Sequence, residues 1–264
     1  MTPLNRRPNQ PFLPDSVTIA LSLAGFVLLW WGLAVLKGDP RILPAPPEVA
    51  ADIIREARSG ALFFNMAQTL RRVALSFALA MGLGTALGLI LGRHPAVARW
   101  FDPWVTILLN LPALVIIVLC YLWIGLNEVA AITAVALNKT AMVVVTVREG
   151  VRSVDPALDE MARIYRLTPV ARLRHVTLPQ LAPFLAASAR NGLAIIWKIV
   201  LVVEFLGRSN GVGFQIHLYF QLFDVSMVLA YAVSFVAVML VIELVLIRPL
   251  EARAGSWRRR AAPA

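Results

Sequence analysis

Long apolar stretches separated by shorter polar segments dominate the pattern of this chain. Six of them reach or approach the length needed to cross a bilayer, which is about 20 residues for a helix, because unpaired backbone amides are excluded from hydrocarbon. They cover residues 17–36, 73–92, 103–127, 129–147, 181–205 and 225–247. The pattern therefore predicts an all-α polytopic membrane protein with six transmembrane helices.

The six stretches differ in how strongly they predict a transmembrane span. The first two carry no charge, whereas Pro112 interrupts the third, and a short turn at 125–128 joins the third to the fourth. The fourth contains one lysine, the fifth contains three ionisable residues and the sixth contains one. Because charges are costly at membrane depth, the last two stretches are weaker predictions of a span.

Composition agrees with a membrane protein, since 59% of the 264 residues are hydrophobic and only 15% are charged. The net charge of +10 could indicate nucleic acid, but no basic face interleaved with aromatic residues accompanies it. Membrane topology and anionic lipid headgroups explain this charge better. The single cysteine, Cys120, excludes an intrachain disulfide.

Basic residues lie mainly in alternate connecting segments, and Lys and Arg resist translocation. This asymmetry predicts that both termini face the cytoplasm, together with a polar, arginine-rich segment at 148–183 that we call the basic island. We expect residues 1–66 to form an N-terminal cytoplasmic segment, the first span and an outer amphipathic segment. Residues 67–250 would form a five-helix core that includes the basic island, and residues 251–264 a basic cytoplasmic tail.

The outer loop at 38–66 opens with a proline-rich turn at 43–48 and continues as an amphipathic run at 49–57. Proline and acidic residues at the start of this run are typical of a helix N-terminus. The run predicts an interfacial helix on the outer leaflet. A contact site for an external partner is the alternative.

The basic island has the sequence of two short helices set at an angle. Asp155 can cap a helix that begins near Pro156 and runs over 157–166. Thr168 can cap a second helix that runs from Pro169 to about residue 176, and Pro179 predicts that it stops there.

Within the island, Glu160-Met161-Ala162 is followed after thirteen residues by the sequence Val-Thr-Leu-Pro at 176–179. This spacing resembles the EAA loop of permeases from bacterial ABC importers, whose motif reads Glu-Ala-Ala, three residues, Gly, nine residues, Ile-x-Leu-Pro. Arg166 stands at the position of the motif's Gly, and we expect a slightly altered elbow there. The alternative is a solvated basic loop, which explains the charge but not the motif.

The resemblance extends over about residues 43–250, in the order typical of the nitrate, taurine and alkanesulfonate permease subfamily. The matching segments lie at 43–46, 69–72, 102–103, 112, 123–126, 151–156, 204–207 and 211–214. It implies a subunit of the bacterial inner membrane that works with a cytoplasmic ATPase dimer, a second permease copy and a periplasmic solute-binding protein. A homodimer is the simpler hypothesis, because each chain carries one complete island.

The resemblance also implies that the island is a coupling helix seated on the ATPase, and that ATP and magnesium are bound by the ATPase. This chain has no phosphate-binding loop motif of its own and is expected to be non-catalytic. The ATPase-coupling candidates are Asp159, Glu160, Met161, Ala162, Arg166, Leu178 and Pro179. Glu160 could pair with the ATPase or with a neighbouring arginine.

Polar residues inside the predicted spans are candidates for the translocation path, since such groups usually face the bundle interior or a wet path. They are Asn138, Lys139, Trp197, Lys198 and Glu204. Two lysines would attract an anion such as a sulfonate, taurine, nitrate or a carboxylate. The alternative is that the lysines pair with Glu204 or Glu243 across helices, while Glu204 could also serve an outer gate near residues 211–213.

The remaining candidate features carry less chemistry. The small residues Gly82, Gly84, Ala86 and Gly88 predict helix packing. The three histidines are too far apart in sequence to indicate a metal site. An ion-coupled secondary transporter is the alternative function, although no inverted repeat is evident. An intramembrane enzyme is disfavoured because no catalytic pair appears within a span.

Overall fold

The computed structural model describes residues 15–247, and all regular elements in this part are helical. The helices are α1 (Asp15–Lys37), α2 (Pro46–Ser59), α3 (Ala61–Arg93), α4 (Pro95–Asn110), α5 (Ala113–Ile124), α6 (Glu128–Arg152), α7 (Pro156–Ile164), α8 (Pro169–Arg172), α9 (Leu178–Gly207), α10 (Val212–Gln221) and α11 (Val225–Ile242). Two π-helical turns, Leu173–Thr177 and Glu243–Ile247, precede α9 and follow α11. The predicted all-α fold is confirmed. The N-terminal residues 1–14 and the basic tail 251–264 lie outside the described residues.

Four helices are long and apolar enough to cross a membrane, namely α1, α3, α6 and α11 with its π-turn. The pair α4 and α5 adds a fifth if it counts as one broken span. Helix α9 is 30 residues long but carries ionisable residues along its length, and it is not among these. The total of six spans therefore stays a prediction.

The third predicted span, residues 103–127, is not one continuous helix. Helices α4 and α5 meet at an angle of 100°. Leu111 adopts an extended backbone, with φ −68° and ψ 126°, because the ring of Pro112 disfavours the helical region for the residue before it. The predicted turn at 125–128 is confirmed: Gly125 has φ 95° and the Asn127 side chain caps α6.

Helices α3 and α6 form the closest packed pair of the bundle. Gly84, Gly88 and Gly92, spaced four residues apart on α3, face Val143, Val147 and Val151 of α6. A Cβ atom added at these glycines would lie within 2.5–2.7 Å of the valine Cβ atoms, so the backbones approach more closely than any larger residue allows. Packing is thus confirmed for Gly84 and Gly88. For Gly82, which has no neighbour within 4 Å, and for the exposed Ala86, no packing partner is found within residues 15–247.

Helix α2 lies against α11 and buries Val49. Polar contacts reinforce this packing: Ser226 Oγ donates to Asp52 over 2.5 Å, and the Tyr231 hydroxyl donates to Glu56 over 2.6 Å. The amphipathic run at 49–57 is therefore helical, and one face of it belongs to the protein core. Its position at the outer leaflet stays a prediction.

Candidate coupling surface and buried charge network

The first helix of the basic island is fixed at its beginning by two contacts. The Asp155 carboxylate accepts a hydrogen bond from the Ala157 amide at 2.9 Å, which confirms the predicted cap. The Asp155 amide in turn donates to the side chain of Gln180 at 3.1 Å. The start of α7 is therefore tied to the first turn of α9.

The elbow between α7 and α8 closes on Arg166, which has φ 51°. The Leu167 amide donates to the Ala162 carbonyl at 2.9 Å, and the Arg166 amide donates to the Arg163 carbonyl at 3.0 Å. This pair of bonds is the Schellman termination, in which glycine normally takes the left-handed position. An arginine there costs about 1–2 kcal/mol. The alteration of the elbow relative to a glycine elbow stays a prediction.

The second helix of the island does not stop at Leu178 and Pro179, which is a correction to the sequence-based expectation. The Thr168 side chain caps α8 as predicted, by accepting from the Ala171 amide. The chain then passes through the π-turn directly into α9, and the Leu178 amide donates to the Leu173 carbonyl. Pro179 is accommodated as the second residue of α9, immediately after this π-turn, where the helical bonding pattern changes.

The surface of the island is more apolar than its charge suggests. Ile164, Tyr165 and Val170 are 78%, 74% and 74% exposed, and Met161 is exposed beside them. We call these four residues the coupling surface. Ile164, Tyr165 and Val170 were not predicted from the sequence, because their exposure depends on how the elbow folds, although the mixed apolar and basic composition of 161–170 was a signal.

The predicted coupling residues fall on both sides of α7. Glu160 is exposed and makes no ion pair or hydrogen bond within the described part of the chain. Ala162 is buried beneath the helix, Leu178 and Pro179 are half-buried, and Arg166 is exposed at the elbow. Asp159 belongs to α7, but its side chain lies outside the described residues. The motif thus contributes both exposed groups and the packing that holds them.

A buried charge network lies at the other end of the bundle. Arg72 is 1% exposed and Glu204 is 0% exposed, and their side chains form an ion pair at 2.6 Å. Arg72 also binds Glu128, through bonds of 2.9 Å and 2.5 Å. The Arg208 guanidinium donates to the same carboxylate at 2.9 Å. Helices α3, α6 and α9 are therefore joined by charge-assisted hydrogen bonds.

The same network holds the beginning of α10. Glu204 accepts from the Gly213 amide at 2.9 Å and from the Thr69 hydroxyl at 2.9 Å. The Gly211 amide donates to Asn65, and the Val212 amide donates to Thr69, both over 2.9 Å. Gly211 has φ 107°, and a Cβ there would lie 2.6 Å from Arg72 Nη1, so only glycine fits.

These contacts enclose the Glu204 carboxylate, which has no accessible surface in this structure. The assignment of Glu204 to the translocation path stays a prediction. Arg72 precedes the second predicted span at 73–92 by one residue, and in the structure it lies inside α3. A signal was present: Asn65, Thr69 and Arg72 recur at intervals of four and three residues, which puts them on one helix face.

The two lysines differ from each other. Lys139 is 2% exposed, and its Nζ donates to Met142 Sδ at 2.6 Å, beside Gly192 of α9. Lys198 is exposed on α9. Within residues 15–247 neither lysine forms an ion pair with a carboxylate, so the alternative, a pairing with Glu204 or Glu243, is not found.

The other two predicted path residues are placed differently again. Trp197 is buried and packs edge-to-face on Phe235, with ring centroids 6.3 Å apart. Asn138 is half-buried. Of the five path candidates, therefore, only Lys198 and Asn138 have side chains that are at least partly exposed.

Comparison with known proteins places this architecture among transport proteins. Residues 84–248 match the model of the family described as "Binding-protein-dependent transport system inner membrane component". The chain is 30% identical over 242 residues to a putative aliphatic sulfonates transport permease protein of Bacillus subtilis (strain 168), covering 90% of this chain and 87% of that protein.

Two further likenesses agree in fold and length. The chain is 26% identical to the taurine transport system permease protein of Escherichia coli (strain K12), covering 93% of this chain and 91% of that protein. The inward-facing MetNI methionine ABC transporter has a chain of similar fold, with a TM-score of 0.61 and 17% identity, covering 79% of this chain and 99% of that chain. The last likeness concerns the fold alone.

Proposed function

This chain belongs to the family of binding-protein-dependent transport system inner membrane components, and from that premise we propose that it carries a small sulfonate across the inner membrane. It is a permease subunit of an ABC importer and is not an enzyme. ATP hydrolysis therefore belongs to a partner ATPase, and solute is delivered by a binding protein.

We propose that the coupling surface is the contact with the ATPase. The observation that carries this proposal is the exposure of Ile164, Tyr165 and Val170 on an island otherwise rich in charge. Large apolar side chains that are solvent-exposed in the isolated chain and rimmed by polar residues are typical of a protein interface. Asp155, Gln180 and the Arg166 elbow hold this surface on the end of α9, so a push on α7 is transmitted into the bundle.

The orientation and assembly follow from the same proposal. The island faces the cytoplasm, as the distribution of basic residues favours, and the network around Arg72 then lies towards the outer side. Both termini are cytoplasmic. Two copies of this chain pair across the translocation path, because each supplies one complete coupling surface for one ATPase subunit.

The substrate class rests on two lines of support. Two of the relatives are named for aliphatic sulfonates and for taurine, which is itself a sulfonate. Lys198 is exposed on α9 and has no ion-pair partner within residues 15–247, so its ammonium is free to attract an anionic solute. Asn138 on α6 is a further candidate on the path. Lys139 would join it only after a rearrangement, since its ammonium is enclosed by α6 and α9.

Co-purification with the cognate ATPase tests the coupling surface. Ile164→Asp introduces a charge at the centre of this surface and should abolish recovery of the ATPase, with membrane insertion unchanged. Ile42→Asp is the matched control, because Ile42 is 57% exposed in the turn before α2, on the proposed outer side. Full recovery with Ile164→Asp, or equal loss with Ile42→Asp, contradicts the proposal.

Uptake by the reconstituted importer tests the substrate. Taurine and ethanesulfonate should enter proteoliposomes only with ATP and the binding protein, and Lys198→Gln should lower uptake while ATPase recovery remains normal. Uptake driven by an ion gradient without ATP would instead indicate a secondary transporter. Uptake of nitrate in preference to both sulfonates would refute the sulfonate assignment.

A further inference from the structure

A cavity of about 600 Å³ lies behind the coupling surface, between the ends of α3 and α6 and the two helices of the island. Its lining includes Arg93, Val151, Val154, Leu167, Pro169 and Arg172. This space is separate from the coupling surface and from the network around Arg72. Neither the family membership nor the proposed function explains it.

The charged side chains that the structure describes in the cavity lining are both basic. Arg93 and Arg172 contribute guanidinium groups, and the described part of the lining includes no acidic residue. Arg93 Nη2 donates to Thr177 Oγ1 at 3.0 Å, and Arg93 has no other partner among the described residues. Four of its five N–H donors therefore remain available. Arg172 adds charge although its side chain also has an interaction of its own.

The depth of the cavity in the membrane limits the possible ligands. The predicted spans 73–92 and 129–147 end just before the lining residues Arg93 and Val151, so we place the cavity at the level of the lipid headgroups, on the proposed cytoplasmic side. Basic pockets between helices at this level are suited to anionic lipid headgroups. Val151, Val154 and Leu167 supply an apolar wall for the glycerol backbone of such a lipid.

From these observations we infer that the cavity binds a phosphate group, supplied by an anionic phospholipid, with Arg93 as its main ligand. An arginine fork matches the oxygens of a phosphate bidentately, and the Thr177 hydroxyl orients this fork. The bound headgroup rests against Pro156, Leu167 and Pro169, which belong to the island. It supports the island from behind, so anionic lipid strengthens the coupling of the permease to its ATPase.

Native mass spectrometry of the full-length chain, purified with its ATPase, tests the site by titration with phosphatidylglycerol and with phosphatidylcholine. Wild type should retain phosphatidylglycerol selectively, and Arg93→Gln should weaken this retention about tenfold, as expected for loss of charge-assisted hydrogen bonds. Arg93→Lys keeps the charge without the fork and should fall between the two. Arg99→Gln is the matched control, because Arg99 is exposed on α4 and does not line the cavity.

Equal retention by wild type and Arg93→Gln overturns the inference, and so does an equal loss in Arg99→Gln. Competition by inorganic phosphate distinguishes a lipid phosphate from a soluble one. If inorganic phosphate displaces phosphatidylglycerol at similar concentrations, the ligand is a soluble phosphate and the proposal of a lipid ligand is overturned. If the ATPase fails to co-purify whichever lipid is present, the proposed coupling surface is wrong. The lipid titration of the permease still tests the cavity in that case. Thr177→Val provides a second variant if Arg93→Gln does not fold.

Discussion

Replacement of Gly88 by alanine tests the closest helix contact of the bundle. The new Cβ would lie 2.7 Å from Val147 Cβ and 2.9 Å from the Val144 carbonyl oxygen. These distances are about 0.7 Å and about 0.5 Å short of the 3.4 Å at which ordinary contact begins. Neither atom is the end of a flexible side chain, so α3 and α6 must move apart. Overpacking of this kind costs about 1–3 kcal/mol.

Gly82→Ala is the matched control for this experiment, because nothing lies within 4 Å of its added Cβ. Both substitutions gain the same intrinsic helix preference, about 1 kcal/mol, so the difference between them isolates the steric cost. We expect the free energy of unfolding of Gly88→Ala to be about 1–3 kcal/mol lower than that of Gly82→Ala. Reversible unfolding in mixed detergent micelles measures this difference. Equal stabilities within about 0.5 kcal/mol would refute the close packing of α3 on α6.

Two further substitutions test the buried network and the elbow. Arg72→Gln leaves Glu204 as an unpaired buried charge and should lower the free energy of unfolding by about 3–5 kcal/mol. Its neighbour Arg71, 53% exposed and 3.6 Å from Glu128, should cost at most about 1 kcal/mol when replaced by Gln. Similar thermal stabilities for the two variants would contradict the network. Arg166→Gly removes the cost of a left-handed arginine and should stabilise the chain by about 1 kcal/mol without loss of ATPase recovery; a lower melting temperature would show that the arginine side chain itself holds the elbow.

Much of the secondary structure could be predicted because its causes are local. The caps at Asp155 and Thr168 and the turn at Gly125 involve contacts within three residues, and all of them are present in the structure. The predicted end of the second island helix was wrong, because a proline is compatible with two positions: just after the end of one helix, or near the start of the next. The preceding π-turn, which depends on packing, selects the second position.

The sequence by itself determined that this chain is an all-helical membrane protein and that Asp155 and Thr168 cap the starts of two helices in the basic island. These properties follow from apolar run lengths and short-range hydrogen bonds. Only the tertiary structure decided which polar groups meet: Arg72 and Glu204 are 132 residues apart, and the enclosure of Lys139 depends on Gly192 of another helix. Helix periodicity specifies the face on which a side chain lies, but the partner that covers this face is selected by packing between helices distant in sequence.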